Sequence, residues 1–191
     1  MGFAIAAEAI SRGADVTLIV GPGTDAPPPG PDVVRVTTAN EMRDAVLAAT
    51  PLSDAIVMAA AVADFRPTEA ADGKIKKGGR DELTIRLEPT TDVLGAVALD
   101  RRPGQTLVGF AAEHGDGLES ARAKLDRKRL DAVVLNDVSQ PGIGFDSLEN
   151  EVTVLTAAGE HPVPRASKRA VASAILDCVE SLRKTQSEVT Q

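Results

Sequence analysis

The sequence predicts a three-layer α/β fold on a mainly parallel sheet, and three observations carry that expectation. Apolar runs rich in β-branched residues, among them Val16–Val20, Ala55–Ala60, Thr106–Ala111 and Ala132–Leu135, alternate with segments of helical rhythm. Strands buried on both faces read as continuous apolar sequence, and their alternation with helices implies parallel crossover units. The 191 residues suffice for one substantial core, close to the size at which cores begin to divide. The pattern breaks once at length, from Ala61 to Asp81, directly after a strand. A long irregular stretch at that place is costly unless it serves a function.

Each element follows in order. Phe3, Ile5, Ala6, Ala9 and Ile10 recur with helical spacing over Gly2–Ser11, and Gly13 suits the stop. Val16–Val20 is then a buried strand closed by Gly21-Pro22, and Gly21–Pro31 is a loop without periodicity. Val33–Val36 reads as a short strand and Ala39–Ala49 as a helix with Met42, Val46 and Leu47 inward. After Pro51 comes the strand Ala55–Ala60, then the irregular excursion. Leu83, Ile85 and Leu87 alternate with polar residues, the mark of a half-buried strand, so residues 61–88 form a loop expected to be mobile plus a strand for dimerisation. A helix over Thr91–Leu99 is capped by Thr90 or Thr91, followed by the strand Thr106–Ala111, the charged helix Asp116–Arg129 and the strand Ala132–Leu135. Asn136–Asn150 crosses as polar chain, Val152–Leu155 is a strand, Gly159 turns, and a last helix from about Ser167 to Arg183 buries Val171, Ile175, Cys178, Val179 and Leu182. Such a Rossmann-like chain normally opens with a strand leading into a glycine-rich turn. Here a helix begins at residue 2, so residues 1–191 are expected to form a single domain whose first strand is missing, lying before Met1.

Composition narrows the function. With 21 Lys+Arg against 28 Asp+Glu and a formal charge of -7, general attraction to nucleic acid or an anionic membrane is not expected. Four Phe without Tyr or Trp leave no stacking platform for single strands. No apolar run approaches the roughly 18 residues of a bilayer span, and no secretory segment follows Met1. The lone Cys178 cannot form an intrachain disulfide and suits a reducing, cytoplasmic setting as a core residue. His114 and His161 are too far apart to suggest a metal-ligand pair, and no metal ligand is assigned.

Candidate site residues gather where strands end. Asn136 and Asp137 follow a buried strand, where ligands of parallel sheets bind; they suit equally an Asx turn. Ala59, Ala60, Ala61 and Ala63 would let a ligand lie against backbone, and Asp64 would accept from a ribose hydroxyl or help hold a hydrated cation, unless it is a surface carboxylate beside Arg66. Lys74, Lys76 and Lys77 are either a solvated run or a clamp on a polyphosphate. Lys124 and Lys128, four apart, share a helix face, though Arg127 and Arg129 make a merely solvated helix a rival. Phe110 either fills core or touches a base. Walker A, GxGxxG and Cys-His arrangements are absent. A nucleotide is suggested without being named, and a nicotinamide-dependent reductase or a non-catalytic nucleotide-binding module would share these features.

Six strings go further: MGFAIAAEAISRGADVTLIVGP at 1–22, AAAVADFRP at 59–67, KIKK at 74–77, LVGFAAE at 107–113, NDVS at 136–139 and GFDSLENEVTVL at 144–155. In order and spacing the chain resembles the phosphopantothenoylcysteine synthetase domain of bacterial coenzyme A biosynthesis, often fused behind a flavin-dependent decarboxylase domain. The resemblance implies a homodimer that uses CTP and Mg²⁺ to activate 4'-phosphopantothenate as an acyl-cytidylate. Pyrophosphate leaves, then the amine of cysteine displaces CMP. It implies nucleotide contacts at Asp64, at Thr91, Asp92, Val93 and Leu94, and at Phe110, Lys124 and Lys128, with Ala59 and Ala60 presenting backbone. It makes Lys74 the catalytic lysine of a loop over the triphosphate and Asn136 and Asp137 shapers of the site. Two departures stand out. The family's glycine-rich segment with its arginine and asparagine is expected before Met1, and Thr90-Thr91 stands where relatives often carry asparagine and proline.

Overall fold

A computed structural model describes residues 1–23, 26–69, 72–76, 82–113, 115, 117–137, 139 and 147–189. Helix α1 (Gly2–Ser11) buries Ile5 and Ala6 and closes at Gly13, whose φ of 85° lies in the left-handed region that glycine adopts without strain. Strands β1 (Thr17–Val20) and β2 (Asp32–Arg35) pair in parallel as a two-stranded sheet. Helix α2 (Ala39–Ala49) begins in a capping box, with Glu41 N–H donating to Thr38 Oγ1 at 3.2 Å and Thr38 N–H donating to Glu41 Oε2 at 3.3 Å. Reciprocal capping of this kind satisfies two orphan donors of the first turn.

After a 3-10 turn at Thr50–Leu52 comes β3 (Ala55–Met58). The excursion holds β4 (Phe65–Pro67) and β5 (Leu87–Pro89), antiparallel to each other. The expected strand at Leu83–Leu87 therefore starts only at its last residue. Its alternation does not mark burial within this chain, since Leu83, Ile85 and Leu87 are each more than half exposed. Helix α3 (Val93–Asp100) takes its cap from Asp92, whose Oδ1 accepts from Gly95 N–H at 2.9 Å, and not from Thr90 or Thr91. A carboxylate at that position also complements the helix dipole. The remaining elements are β6 (Thr106–Glu113), α4 (Leu118–Arg127), β7 (Ala132–Asp137), β8 (Glu149–Thr156), β9 (Gly159–Ser167) and α5 (Lys168–Val189). Helix α4 is shorter than its charge pattern suggests, because the chain turns at Arg129 with φ 50°.

The main sheet runs β3-β6-β7-β8-β9, parallel across its first three strands and antiparallel across the last three. Strand β9 was not expected, because GEHPVPRAS has neither an apolar run nor alternation. Its outer edge carries Pro162 and Pro164, which withhold ladder donors and blunt further pairing. Successive strand residues point to opposite faces, which sorts the core into two layers. Leu107 and Val133 pack with Met42, Val97 and Leu125 from α2, α3 and α4. Val108 and Val134 pack with Ile5, Val171 and Ile175 from α1 and α5. The expected three-layer arrangement is thus present, and Cys178 packs beside the second layer, where burial raises its thiol pKa.

Arg12 ties α1 to α5. Its guanidinium reaches Glu8, Asp177 and Glu180 at 3.1, 2.8 and 2.8 Å and donates to Ser173 Oγ at 2.7 Å. At the amino ends of β6 and β7 Asp131 accepts from Leu107 N–H at 2.7 Å and pairs with Arg101, joining β6, β7 and α3. Among the described residues β1 pairs only with β2 and β3 only with β6. Both line a cleft of about 1970 Å³ that runs the length of the strands between them, from Asp15 and Asp54 at their amino ends to Ala59–Arg66 beyond the carboxyl end of β3.

Candidate functional site

The parallel ladder between β3 and β6 ends at Met58 and Gly109, so the chain beyond each is released from pairing on that side. Residues Ala59–Arg66 leave β3 along the cleft, the position where open parallel sheets bind ligands. Ala59 is half-buried, while Ala60 and Asp64 are exposed. Thr90 straps this segment down, its hydroxyl donating to Ala63 O and its N–H to Asp64 O at 2.8 Å. The excursion thereby leaves and returns at one point, and Arg66 pairs with Glu88 at 2.8 Å across β4 and β5. Asp64 itself is not the partner of Arg66 in that pairing.

Phe110 is the first β6 residue past the pairing with β3, and its ring packs beside the α1/α5 layer while the residue lines the cleft. Its carbonyl accepts from Lys124 Nζ at 2.6 Å. Burial lowers the Lys124 pKa below the usual lysine range. Glu113 and Asp64 oppose that shift and Arg127 adds to it. A desolvated ammonium is a stronger partner for an anion than a solvated one, and it costs more to hold charged.

Lys128 lies one turn on from Lys124 and pairs with Asp92. Asp92 thus serves both the α3 cap and a lysine, and Gly95 is what lets it. A Cβ at Gly95 would collide with the Asp92 carboxylate and come within 3.1 Å of Lys128 Nζ. Of the next two candidates, Val93 is 3% exposed and Leu94 packs against the α2/α3/α4 core. Their side chains are core rather than site, so only their backbone could meet a ligand. Gly109 makes room for Leu94, since a Cβ there would stand 3.0 Å from Leu94 Cδ2 and 2.9 Å from Leu130 Cδ1.

The structure separates Asn136 from Asp137. Both are the last residues of β7, paired with Ala112 and Glu113, and neither lies beyond the strand. Asp137 Oδ1 accepts from Gly115 N–H at 3.0 Å, Ser139 N–H at 2.9 Å and Ser139 Oγ at 2.6 Å. That arrangement braces two turns, as the Asx-turn alternative has it. Asn136 lines the cleft with a buried Oδ1 that has no hydrogen-bond partner among the described residues, and so does Asn150 of β8. Buried acceptors left unmatched are costly and call for a donor.

Lys74 and Lys76 are exposed and do not line the cleft among the described residues. Lys77 and Gly78-Gly79 lie outside the described residues. Sequence reasoning missed Asn40, whose Oδ1 accepts from Thr91 Oγ1 at 2.7 Å. Nothing local signals it, because Asn40 looks like any polar residue in the first turn of a helix.

Residues 1–182 match the family described as the DNA/pantothenate metabolism flavoprotein C-terminal domain. The chain is 44% identical over 189 residues to a coenzyme A biosynthesis bifunctional protein CoaBC of Mycobacterium bovis, with 93% of this chain and 45% of that protein covered. It is 41% identical over 180 residues to the protein of the same name from Vibrio cholerae, with 94% and 45% covered. The chain thus spans about half the length of these curated relatives. Among solved structures, the C-terminal domain of a CoaBC protein superposes with a TM-score of 0.79 at 32% identity, covering 96% of this chain and 82% of that one.

Proposed function

Since the chain belongs to the DNA/pantothenate metabolism flavoprotein C-terminal domain family, we propose that it ligates 4'-phosphopantothenate to cysteine at the expense of CTP. The observation that carries this reading is the convergence on one cleft of Ala59, Ala60, Asp64, Thr91, Phe110 and Lys124. Backbone, carboxylate and the half-buried Lys124 ammonium meet beyond the ends of β3 and β6. A substrate carboxylate oxygen attacks the α-phosphorus of CTP and the bond to the pyrophosphate oxygen breaks. The cysteine nitrogen then attacks the acyl carbon, and CMP leaves with the electron pair of the mixed anhydride.

The protein needs no nucleophile of its own for this. Its part is to align the reactants, neutralise the departing pyrophosphate and keep water from the mixed anhydride. Lys124 and Lys128 offer charge from α4, and Lys74 brings more from the excursion. Asp64 and Glu113 line the cleft as hard oxygen donors of the kind Mg²⁺ takes, with the triphosphate supplying others. Backbone carbonyls of the chain leaving β3 are acceptors, which suits the amino group of cytosine and mismatches the carbonyl of uracil. Calorimetry at fixed Mg²⁺ is expected to rank CTP well above UTP and ATP. Equal affinities would remove the basis for the base assignment, and tight CTP binding without pyrophosphate release would favour a non-catalytic module.

The assembly follows from the excursion. Phe65, Leu83, Ile85 and Leu87 are each more than half exposed, an apolar group best covered by a second copy. A homodimer is expected to persist through dilution in sedimentation, and Ile85→Asp to yield monomer. A persistently monomeric parent protein would refute this. The named relatives are bifunctional, so we infer that this chain is the ligase part of a cytoplasmic protein that also carries a flavin-dependent decarboxylase domain. Flavin absorbance in the protein purified from its native source tests that, and its absence would count against fusion.

A further inference from the structure

We propose that Asn40 is a nucleotide-binding residue, held by Thr91 so that its side-chain NH₂ donates to an oxygen of the nucleotide; the proposal rests on the reading of the cleft as a CTP site. Asn40 is the second residue of α2, where Thr38 Oγ1 already accepts from Glu41 N–H and the Glu41 carboxylate accepts from Thr37 and Thr38 N–H. Its amide is therefore not needed as a cap. Instead its Oδ1 accepts from Thr91 Oγ1 at 2.7 Å, across a sequence separation of 51 residues. An amide whose oxygen is engaged by a hydroxyl has its orientation set. The nitrogen end, with two donors, has no partner among the described residues, and Asn40 lines the same cleft as Thr91 and Asp64.

What such a group can take is an acceptor. A nucleotide carries acceptor oxygens on its phosphates, its ribose and the base carbonyl, whereas an ammonium or amide N–H would meet only donors. Thr91 is itself well fixed, because Thr90 before it is bonded to Ala63 and Asp64, and Asp92 after it holds the α3 cap and Lys128. Asn40 thereby connects the start of α2 to the segment that follows the excursion. Thr91 acts as a positioning residue and Asn40 as the contact.

The test uses the full-length protein and steady-state pyrophosphate release, with variants Asn40→Ala, Asn40→Asp, Thr91→Val and Thr91→Ser. Asn40→Asp keeps the acceptor for Thr91 and loses the donors, so thermal melting should be unchanged. Its KM for CTP should rise about tenfold, the loss expected for one good hydrogen bond to a charged or polar oxygen. Asn40→Ala should behave similarly, with kcat and the KM for cysteine unchanged. Thr91→Val should raise the KM for CTP less, Thr91→Ser should restore it, and the Asn40→Ala, Thr91→Val pair should be no worse than Asn40→Ala alone. Competition by cytidine locates the acceptor: a deficit seen with CTP and absent with cytidine assigns it to phosphate, and one seen with both assigns it to ribose or base. An unchanged KM for CTP in Asn40→Asp, or a fall in kcat alone, overturns the proposal while the ligase reading stands. No CTP-dependent pyrophosphate release by the parent protein overturns both.

Discussion

Lys124→Ala is expected to lower kcat/KM for CTP by about 100-fold, the upper range for losing a hydrogen bond to a charged group. Lys124 is the lysine that the fold desolvates, and its Nζ already sits on the Phe110 carbonyl inside the cleft. Its charge is therefore held where a polyanion would be attracted most strongly. Lys128→Ala should do less, because Asp92 already neutralises that ammonium. The lowered Lys124 pKa adds a pH signature with two opposite signs. CTP affinity should fall as pH rises through that lowered value, earlier than for an exposed lysine. Over the same window the unfolded chain binds more protons than the folded one, so the stability of the parent should rise with pH relative to Lys124→Met. The burial penalty is fully present below the folded pKa and gone above the ordinary one. Affinity and melting measured across pH on both proteins check the pair of trends, and parallel curves for parent and variant would exclude Lys124 as their source.

Lys74→Ala is expected to slow single-turnover pyrophosphate release by about 100-fold while leaving CTP affinity within about threefold, if its contact is made only as pyrophosphate departs. The hypothesis rests on placement, since Lys74 is exposed and does not line the cleft among the described residues, whereas Lys124 does. A residue without a ground-state contact has little ground-state affinity to lose. A lysine brought to the leaving group during the reaction still stabilises the charge that develops there. Equilibrium CTP binding beside rapid-quench pyrophosphate release separates the two, with circular dichroism to confirm folding. Loss of binding as severe as that of Lys124→Ala, with the bound-state rate retained, would reverse the division of labour between excursion and helix.

Much of this was legible in the residues themselves. Buried parallel strands such as Thr106–Glu113 and Ala132–Asp137 announce themselves as continuous apolar runs, because both faces must avoid water. Helices α1 and α2 are found at their expected bounds because periodicity and, for α2, the capping box are local properties of the chain. The six strings shared with the synthetase domain likewise sit in the sequence whatever the fold does. Other features depended on partners distant along the chain. Strand β9 is made by pairing with β8 rather than by its own composition, and the alternation of Leu83, Ile85 and Leu87 could not say whether this chain would bury them. Nor could sequence distinguish Asn136, an unpaired acceptor on the cleft, from Asp137, a brace for two turns, since their difference lies in which side of the strand each faces and what meets it there. Lys124 and Lys128 share one helix face and one spacing, yet one is desolvated against a carbonyl and the other neutralised by a carboxylate. Local pattern determines which residues form helices and strands, because it is set by side chains a few positions apart. The charge state, pairing and orientation of the site were decided only in the tertiary structure, where desolvation and hydrogen bonding act between groups that the chain itself keeps far apart.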